Sequence, residues 1–143
     1  MNQVSEILGD KGRDVLKIDA EASALDAVKQ MCNANIGALL VTDAGEVAGI
    51  VTERDYLRRV ADEGPTDESV TVRNIMSSPL VVVSPETEID ECMAVMTERR
   101  IRHLPVLGDA RDVLGIVSIG DLVKFQSNEQ SVQIQFLTEY ISG

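Results

Sequence analysis

Two pairs of residues in this chain set a hydroxyl three positions before a carboxylate: Thr52 with Asp55, and Ser118 with Asp121. Where a strand runs into a helix, such a hydroxyl can donate to a phosphate oxygen. It does so beside backbone N–H groups that the helix leaves unpaired, at the positive end of the helix dipole. The aspartate can accept two hydrogen bonds from a vicinal diol, as in the 2′,3′ pair of a ribose. Removing one hydroxyl from that diol leaves a buried acceptor unpaired, so the contact separates ribose from deoxyribose. The same pattern is also a plain capping box that serves only its own helix. A single copy favours the cap. Two copies in symmetric positions favour a ligand.

The pairs belong to a longer repeat. Gly49-Ile50-Val51-Thr52-Glu53-Arg54-Asp55 returns 66 residues later as Gly115-Ile116-Val117-Ser118-Ile119-Gly120-Asp121. Upstream, Ile36, Leu39 and Val41 return as Ile101, Leu104 and Val106 at a spacing of 65, which places a single insertion in the turn at Gly108 to Asp112. Arginines gather near the motif. Arg54 lies inside it, and Arg102 and His103 sit just before the Leu104 strand, so all three are candidates for neutralising phosphate. Arg99 and Arg100 read as a solvated helix end, where cations suit the dipole.

The elements that must hold these residues follow from periodicity. Each repeat opens on an extended apolar segment, Val15 to Ile18 and Leu80 to Val83. A helix follows with one buried stripe: Ala24, Ala27, Val28 and Met31 in the first copy, Ile89, Cys92, Met93 and Met96 in the second. Asp19 is the expected cap of the first helix. Ser84 with Pro85 is the expected start of the second. Two strands then pair as a hairpin, Ala38 to Val41 with Val47 to Val51, and Leu104 to Leu107 with Val113 to Val117. A closing helix runs from about Arg54 to Ala61, and from about Gly120 to Phe125.

The expected fold is therefore α/β (α+β): two pseudo-symmetric β-α-β-β-α units packed through their sheets. The expected divisions are an N-terminal segment at 1–14, a first unit at 15–61, a linker at 62–79, a second unit at 80–126 and a C-terminal helix at 127–143. Within the linker, Val70 to Ser78 reads as a short helical approach to the second unit. The C-terminal helix reads equally well as a cap on its own core or as a dimer contact.

Bulk properties narrow the function. A net charge of −11 argues against a nucleic-acid partner, which needs a basic face. An aromatic content of 3% leaves few stacking platforms, so a nucleobase would sit among aliphatic side chains. No apolar run approaches the roughly 18 residues of a membrane span, and the first ten residues lack a signal pattern, so the expected location is the cytoplasm. Cys32 and Cys92 read as buried free thiols, and a single histidine makes a transition-metal site improbable. No nucleophile–base–orienter set stands out. The Gly-rich phosphate loop and the dinucleotide fingerprint are absent, which argues against catalysis.

The doubled Gly-Ile-Val-(Thr/Ser)-x-x-Asp, together with Arg102-His103-Leu104-Pro105-Val106, resembles a tandem pair of CBS (cystathionine β-synthase) domains, a Bateman module of the stand-alone bacterial type. The resemblance covers roughly Val15 to Gln126. It implies a β-α-β-β-α fold in each unit and an adenosine ligand in the cleft between units. AMP or NAD(H) is favoured; ATP, ADP and S-adenosylmethionine are the other members of the class. It also implies disc-like homodimers, no catalytic cofactor and an unidentified target protein. By the same resemblance, Asp55 and Asp121 match the ribose aspartates, and Thr52 and Ser118 the hydroxyls beside them. Ile18 and Val83 flank the adenine. Ala38 and His103, with Arg102 and Pro105 beside the latter, stand where backbone groups read the adenine edge. The copies differ: Gly120 replaces Arg54, and Gly37-Ala38 replaces Arg102-His103. The two sites are therefore expected to be unlike. The competing expectation is a ligand-free interaction module that works through its surface and tail helix.

Overall fold

A computed structural model describes residues 2–11, 15–77, 80–109 and 112–129. The architecture is α+β, and the chain divides into two compact units. One comprises residues 14–81. The other joins residues 1–13 to residues 82–143.

In the 14–81 unit, β1 (Lys17–Asp19) runs parallel to β2 (Ala38–Asp43), and β2 pairs antiparallel with β3 (Glu46–Thr52). Helix α2 (Ala24–Ala34) connects β1 to β2, and α3 (Glu53–Glu63) follows β3 without a break. The expected stripe is the buried one: Ala24, Ala27 and Met31 are buried and Val28 is half-buried. Ala27 and Met31, with Val28 against them, pack with Ile18, Leu39, Val41 and Val51 into one core. The cap of α2 is Ser23, whose hydroxyl accepts from the Asp26 N–H at 3.0 Å, and not Asp19. Asp19 instead accepts from the Glu21 N–H at 2.8 Å, which holds a turn four residues before the helix.

The other unit repeats the hairpin with β4 (His103–Leu107) and β5 (Val113–Ser118), preceded by α5 (Ile89–Arg99) and followed by α6 (Ile119–Glu129). Both hairpins shift register at the equivalent step, Val41/Thr42 and Val106/Leu107. Beyond that step Thr42 pairs with Val47 and Leu107 with Val113, so the second turn is one residue longer, as the spacings require.

The first strand is where the copies part. The extended segment Leu80 to Val83 reduces to a single parallel bridge between Val83 and Val106. In the first copy, Leu40 donates its N–H to the Leu16 carbonyl at 3.1 Å. Pro105 stands in the place of Leu40 and has no N–H to give, so the corresponding bond to Val81 cannot form. The bonds on either side of Val83 persist, to Pro105 O at 3.0 Å and from the Leu107 N–H at 2.9 Å. The expected start at Ser84-Pro85 is likewise a turn, and α5 begins at Ile89 after Glu88. The carbonyls of Pro85 and Thr87 are committed elsewhere, since they accept from the first N–H groups of α1 (Val4–Lys11) at 2.9 and 3.0 Å.

That contact has a counterpart. The short helix α4 (Val72–Ile75) makes the same bonds in the 14–81 unit: Val72 N–H to Ala22 O at 2.8 Å and Arg73 N–H to Ala20 O at 2.9 Å. Each lead-in segment thus docks on the repeat that does not follow it in sequence. The repeated glycines make room for this. A Cβ on Gly49 would lie 2.6 Å from the Ser77 carbonyl oxygen and 3.3 Å from Met76 Sδ. On Gly115 it would lie 2.6 Å from Leu8 Cδ2. The expected C-terminal helix at 127–143 falls mostly outside the described residues; α6 itself extends to Glu129.

The thiols are unequal. Cys92 is buried on the α5 stripe, whereas Cys32 is exposed, contrary to expectation. Cys32 directly follows buried Met31, and one residue of helix turns it about 100° off that stripe. Burial, with a smaller effect of Glu91, pushes the Cys92 thiol above its ordinary range.

Two outcomes follow. Gly49→Ala meets rigid backbone, whereas Gly115→Ala meets the tip of a leucine. The first should cost about 1–3 kcal/mol in urea unfolding and the second less than half of that. In native protein at pH 8, iodoacetamide should label Cys32 at least tenfold faster than Cys92 by mass spectrometry, and equal rates would contradict the burial of Cys92.

Candidate functional site

Antiparallel register sets the site residues beside one another within each unit. Ala38 pairs with Thr52, and His103 pairs with Ser118. At the start of α3, Thr52 has extended backbone, φ −124° and ψ 164°, and acts as the N-cap. Its hydroxyl accepts from the Asp55 N–H at 3.2 Å. Asp55 Oδ2 accepts from the Thr52 N–H at 2.9 Å and from the Thr52 hydroxyl at 3.1 Å. At the start of α6 the Asp121 N–H donates to Ser118 Oγ at 3.1 Å, and the Ser118 N–H donates to Asp121 Oδ2 at 2.8 Å. Both motifs are therefore formed capping boxes.

The N–H groups expected to greet a phosphate are largely committed. The Glu53 N–H donates to Gly37 O at 3.1 Å, and the Ile119 N–H donates to Arg102 O at 2.9 Å. With the Asp55 and Asp121 amides bound to their caps, two of the first three N–H groups of each helix are taken within the chain. Sequence reasoning did not anticipate these carbonyl bonds. They tie the residue before the central strand to the first residue of the closing helix, and so set the spacing between Ala38 or His103 and the hydroxyl–carboxylate pair.

Thr52, Asp55, His103, Ser118 and Asp121 are half-buried, within reach of solvent yet held by their neighbours. Ile18, Val83, Ala38 and Pro105 are buried. Arg54 and Arg102 are exposed, so either can reach an anion only from the outside. Arg99 closes α5, and Arg100 is its left-handed cap residue, φ 57°, which agrees with a solvated helix end. Arg59 pairs with Glu63 at 2.9 Å on the surface of α3. Arg73 binds Glu21 at 2.7 Å and Asp43 at 3.0 Å, and these carboxylates hold its guanidinium above the usual range.

One polar group near Asp55 escaped the sequence reading. Ser77 Oγ lies 3.5 Å from Asp55 Oδ1. Ser77 is anchored by a backbone bridge to Ile50, donating its N–H at 2.9 Å and accepting at 3.3 Å. Its signal is a second, fainter repeat: Val4 and Ile7 of α1 return as Val72 and Ile75 at a spacing of 68.

The fold and the site together define a tandem pair of small α+β units, each with a capped strand–helix junction at the same place. The CBS domain family model matches residues 4–62 and 72–128, and the chain belongs to that family as a tandem CBS module. It is 40% identical over 149 residues to the mitochondrial CBS domain-containing protein CBSX3 of Arabidopsis thaliana, covering 98% of this chain and 72% of that one. A protein with CBS domains from Burkholderia ambifaria superposes with a TM-score of 0.83 at 44% identity, covering 90% of this chain and 96% of that chain. The CBS domain pair of protein MJ0100, solved with 5′-methylthioadenosine and S-adenosylmethionine, superposes with a TM-score of 0.74 at 25% identity, covering 86% of this chain and 98% of that chain.

The caps carry a stability expectation. Thr52→Ala and Ser118→Ala should each lower unfolding free energy by about 1 kcal/mol, and Thr52→Ser should restore most of the loss. Denaturant unfolding of the four proteins checks this; unchanged midpoints would mean that the boxes contribute nothing in solution.

Proposed function

We propose that this chain is a regulatory binding module for an adenosine-containing ligand and does no chemistry of its own. The observation that carries the reading is the recurrence of one hydroxyl–carboxylate junction, in the same geometry, in both units. Family membership and the adenosine-type ligands of the MJ0100 domain pair support it. Asp55 and Asp121 would accept the ribose diol. Each already spends Oδ2 on its cap, so the ribose must be read mainly by the other oxygen. Ile18 and Val83 would flank the base, and the backbone at Ala38 and at His103-Leu104-Pro105 would read its edge. Arg54, exposed beside the first junction, would meet a phosphate there; Gly120 offers no such charge at the second. Arg102 supplies one instead from the strand side. AMP or NAD(H) fits this division best, with ATP, ADP and S-adenosylmethionine as members of the same class.

Binding at these preformed junctions would bias the shape presented to a target protein. We place the protein in the cytoplasm as a homodimer. Leu57 on α3 and Val123 on α6, 65% and 49% exposed at matching places in the repeat, are the apolar residues that such an assembly would cover. Among the described residues no helix is long and apolar enough to cross a membrane.

A second reading, a ligand-free interaction module, is favoured by the caps themselves, since the carboxylates are engaged before any ligand arrives. Calorimetry with AMP, ATP, NADH and S-adenosylmethionine separates the two. Wild type should bind at least one of them. Asp55→Ala and Asp121→Ala should each weaken binding at one site tenfold or more, beyond the small loss of melting temperature that a missing cap explains. Tight binding that survives both substitutions would sink the ribose assignment. A melting temperature unmoved by millimolar amounts of every ligand would establish the interaction module instead.

A further inference from the structure

We propose that Ser77 is the second ribose-reading group of the first unit, so that its site reads a diol through an Asp55–Ser77 pair; the equivalent lead-in position of the other unit is a glycine. The inference rests on the ribose-binding reading above and names a residue outside the hydroxyl–carboxylate motif.

Asp55 Oδ2 is held by the Thr52 N–H and the Thr52 hydroxyl, which directs an incoming donor to Oδ1. The group beside Oδ1 is the Ser77 hydroxyl at 3.5 Å, the long limit of a hydrogen bond and readily exchanged for a ligand's hydroxyl. A carboxylate oxygen only accepts, whereas a serine hydroxyl both donates and accepts. Side by side they suit two neighbouring hydroxyls, one donating to Asp55 and the other bonded to Ser77. Ser77 is exposed and Asp55 half-buried, so the pair opens to solvent. The placement is not loose. Both backbone bonds to Ile50 pin Ser77, and the missing side chain of Gly49 lets its carbonyl approach.

In the other unit the lead-in helix α1 occupies the corresponding place. Leu8 lies on Gly115 as Met76 lies on Gly49, and Val4 bonds Thr87 O as Val72 bonds Ala22 O. The residue after Leu8 is Gly9, which has no hydroxyl. The two units therefore differ at this lead-in position as well as within the repeated motif.

The test is calorimetric, in an Asp121→Asn background that keeps the α6 cap shape and isolates the first site. AMP, 2′-deoxy-AMP and 3′-deoxy-AMP are titrated into Ser77, Ser77→Ala and Ser77→Thr forms. Ser77→Ala should weaken AMP about tenfold, the cost of one lost hydrogen bond. It should leave unchanged the one deoxy analogue that lacks the hydroxyl facing Ser77, and Ser77→Thr should restore AMP. Equal weakening of all three ligands, or no weakening of any, overturns the role of Ser77 while leaving the ribose site standing. A wild-type protein that binds no adenosine ligand overturns both readings together.

Discussion

The turn from β3 into α3, and its counterpart from β5 into α6, is fixed by a closed set of hydrogen bonds. Hydroxyl, carboxylate and two amides satisfy one another, and the residue before the central strand supplies a carbonyl to the first helical N–H. A helix start has donors that must find partners, and here the chain supplies one from the adjacent cap and one from a carbonyl across the hairpin. The central strand, the edge strand and the closing helix are thereby locked in one relative position. A ligand group placed against this corner meets a carboxylate already oriented by its own cap, which is the sense in which the structural and the binding readings of Asp55 and Asp121 are compatible. Preorganisation of this kind lowers the ordering cost of binding.

A second constraint acts from outside the motif. The glycine that opens each copy of Gly-Ile-Val is where a lead-in segment lies against the edge strand, and a side chain there would collide with it. The lead-ins are exchanged: residues 2–11 complete the unit that contains the second repeat, and residues 71–77 complete the one that contains the first. The sequence repeat and the compact unit are therefore different divisions of the same chain. Exchange also gives the duplicated motif a way to diverge, because whatever varies in a lead-in alters the other repeat's surroundings, as Ser77 and Gly9 do.

Much of the fold was legible because periodicity reports burial directly. Ala24, Ala27 and Met31, and Ile89, Cys92 and Met96, recur at helical spacing and are buried. The hairpins and the one-residue insertion followed from the 65- and 66-residue spacings. The cap of α2 was misplaced at Asp19 because both Asp19 and Ser23 make the local bonds that favour turns and caps, and only the backbone path decides which begins the helix. Ser84-Pro85 carries a strong start signal, yet the Ser84 carbonyl closes a turn with the Thr87 N–H and the Pro85 carbonyl accepts from Ser5 of α1, far earlier in the chain. Cys32 reads as buried from the apolar helical pattern around it, but it lies one step off the stripe and is exposed.

By itself the sequence determined the duplication, the two hairpins with their flanking helices and the family, because each of these rests on local spacing or on side-chain chemistry. Tertiary structure alone decided that two of the first three amides of each closing helix are already spent, that Pro105 costs the second unit most of its first strand, and that Ser77 stands beside Asp55. Those outcomes depend on hydrogen bonds between segments far apart along the chain. A linear pattern names the donors and acceptors, but which of them pair is fixed only when the backbone closes.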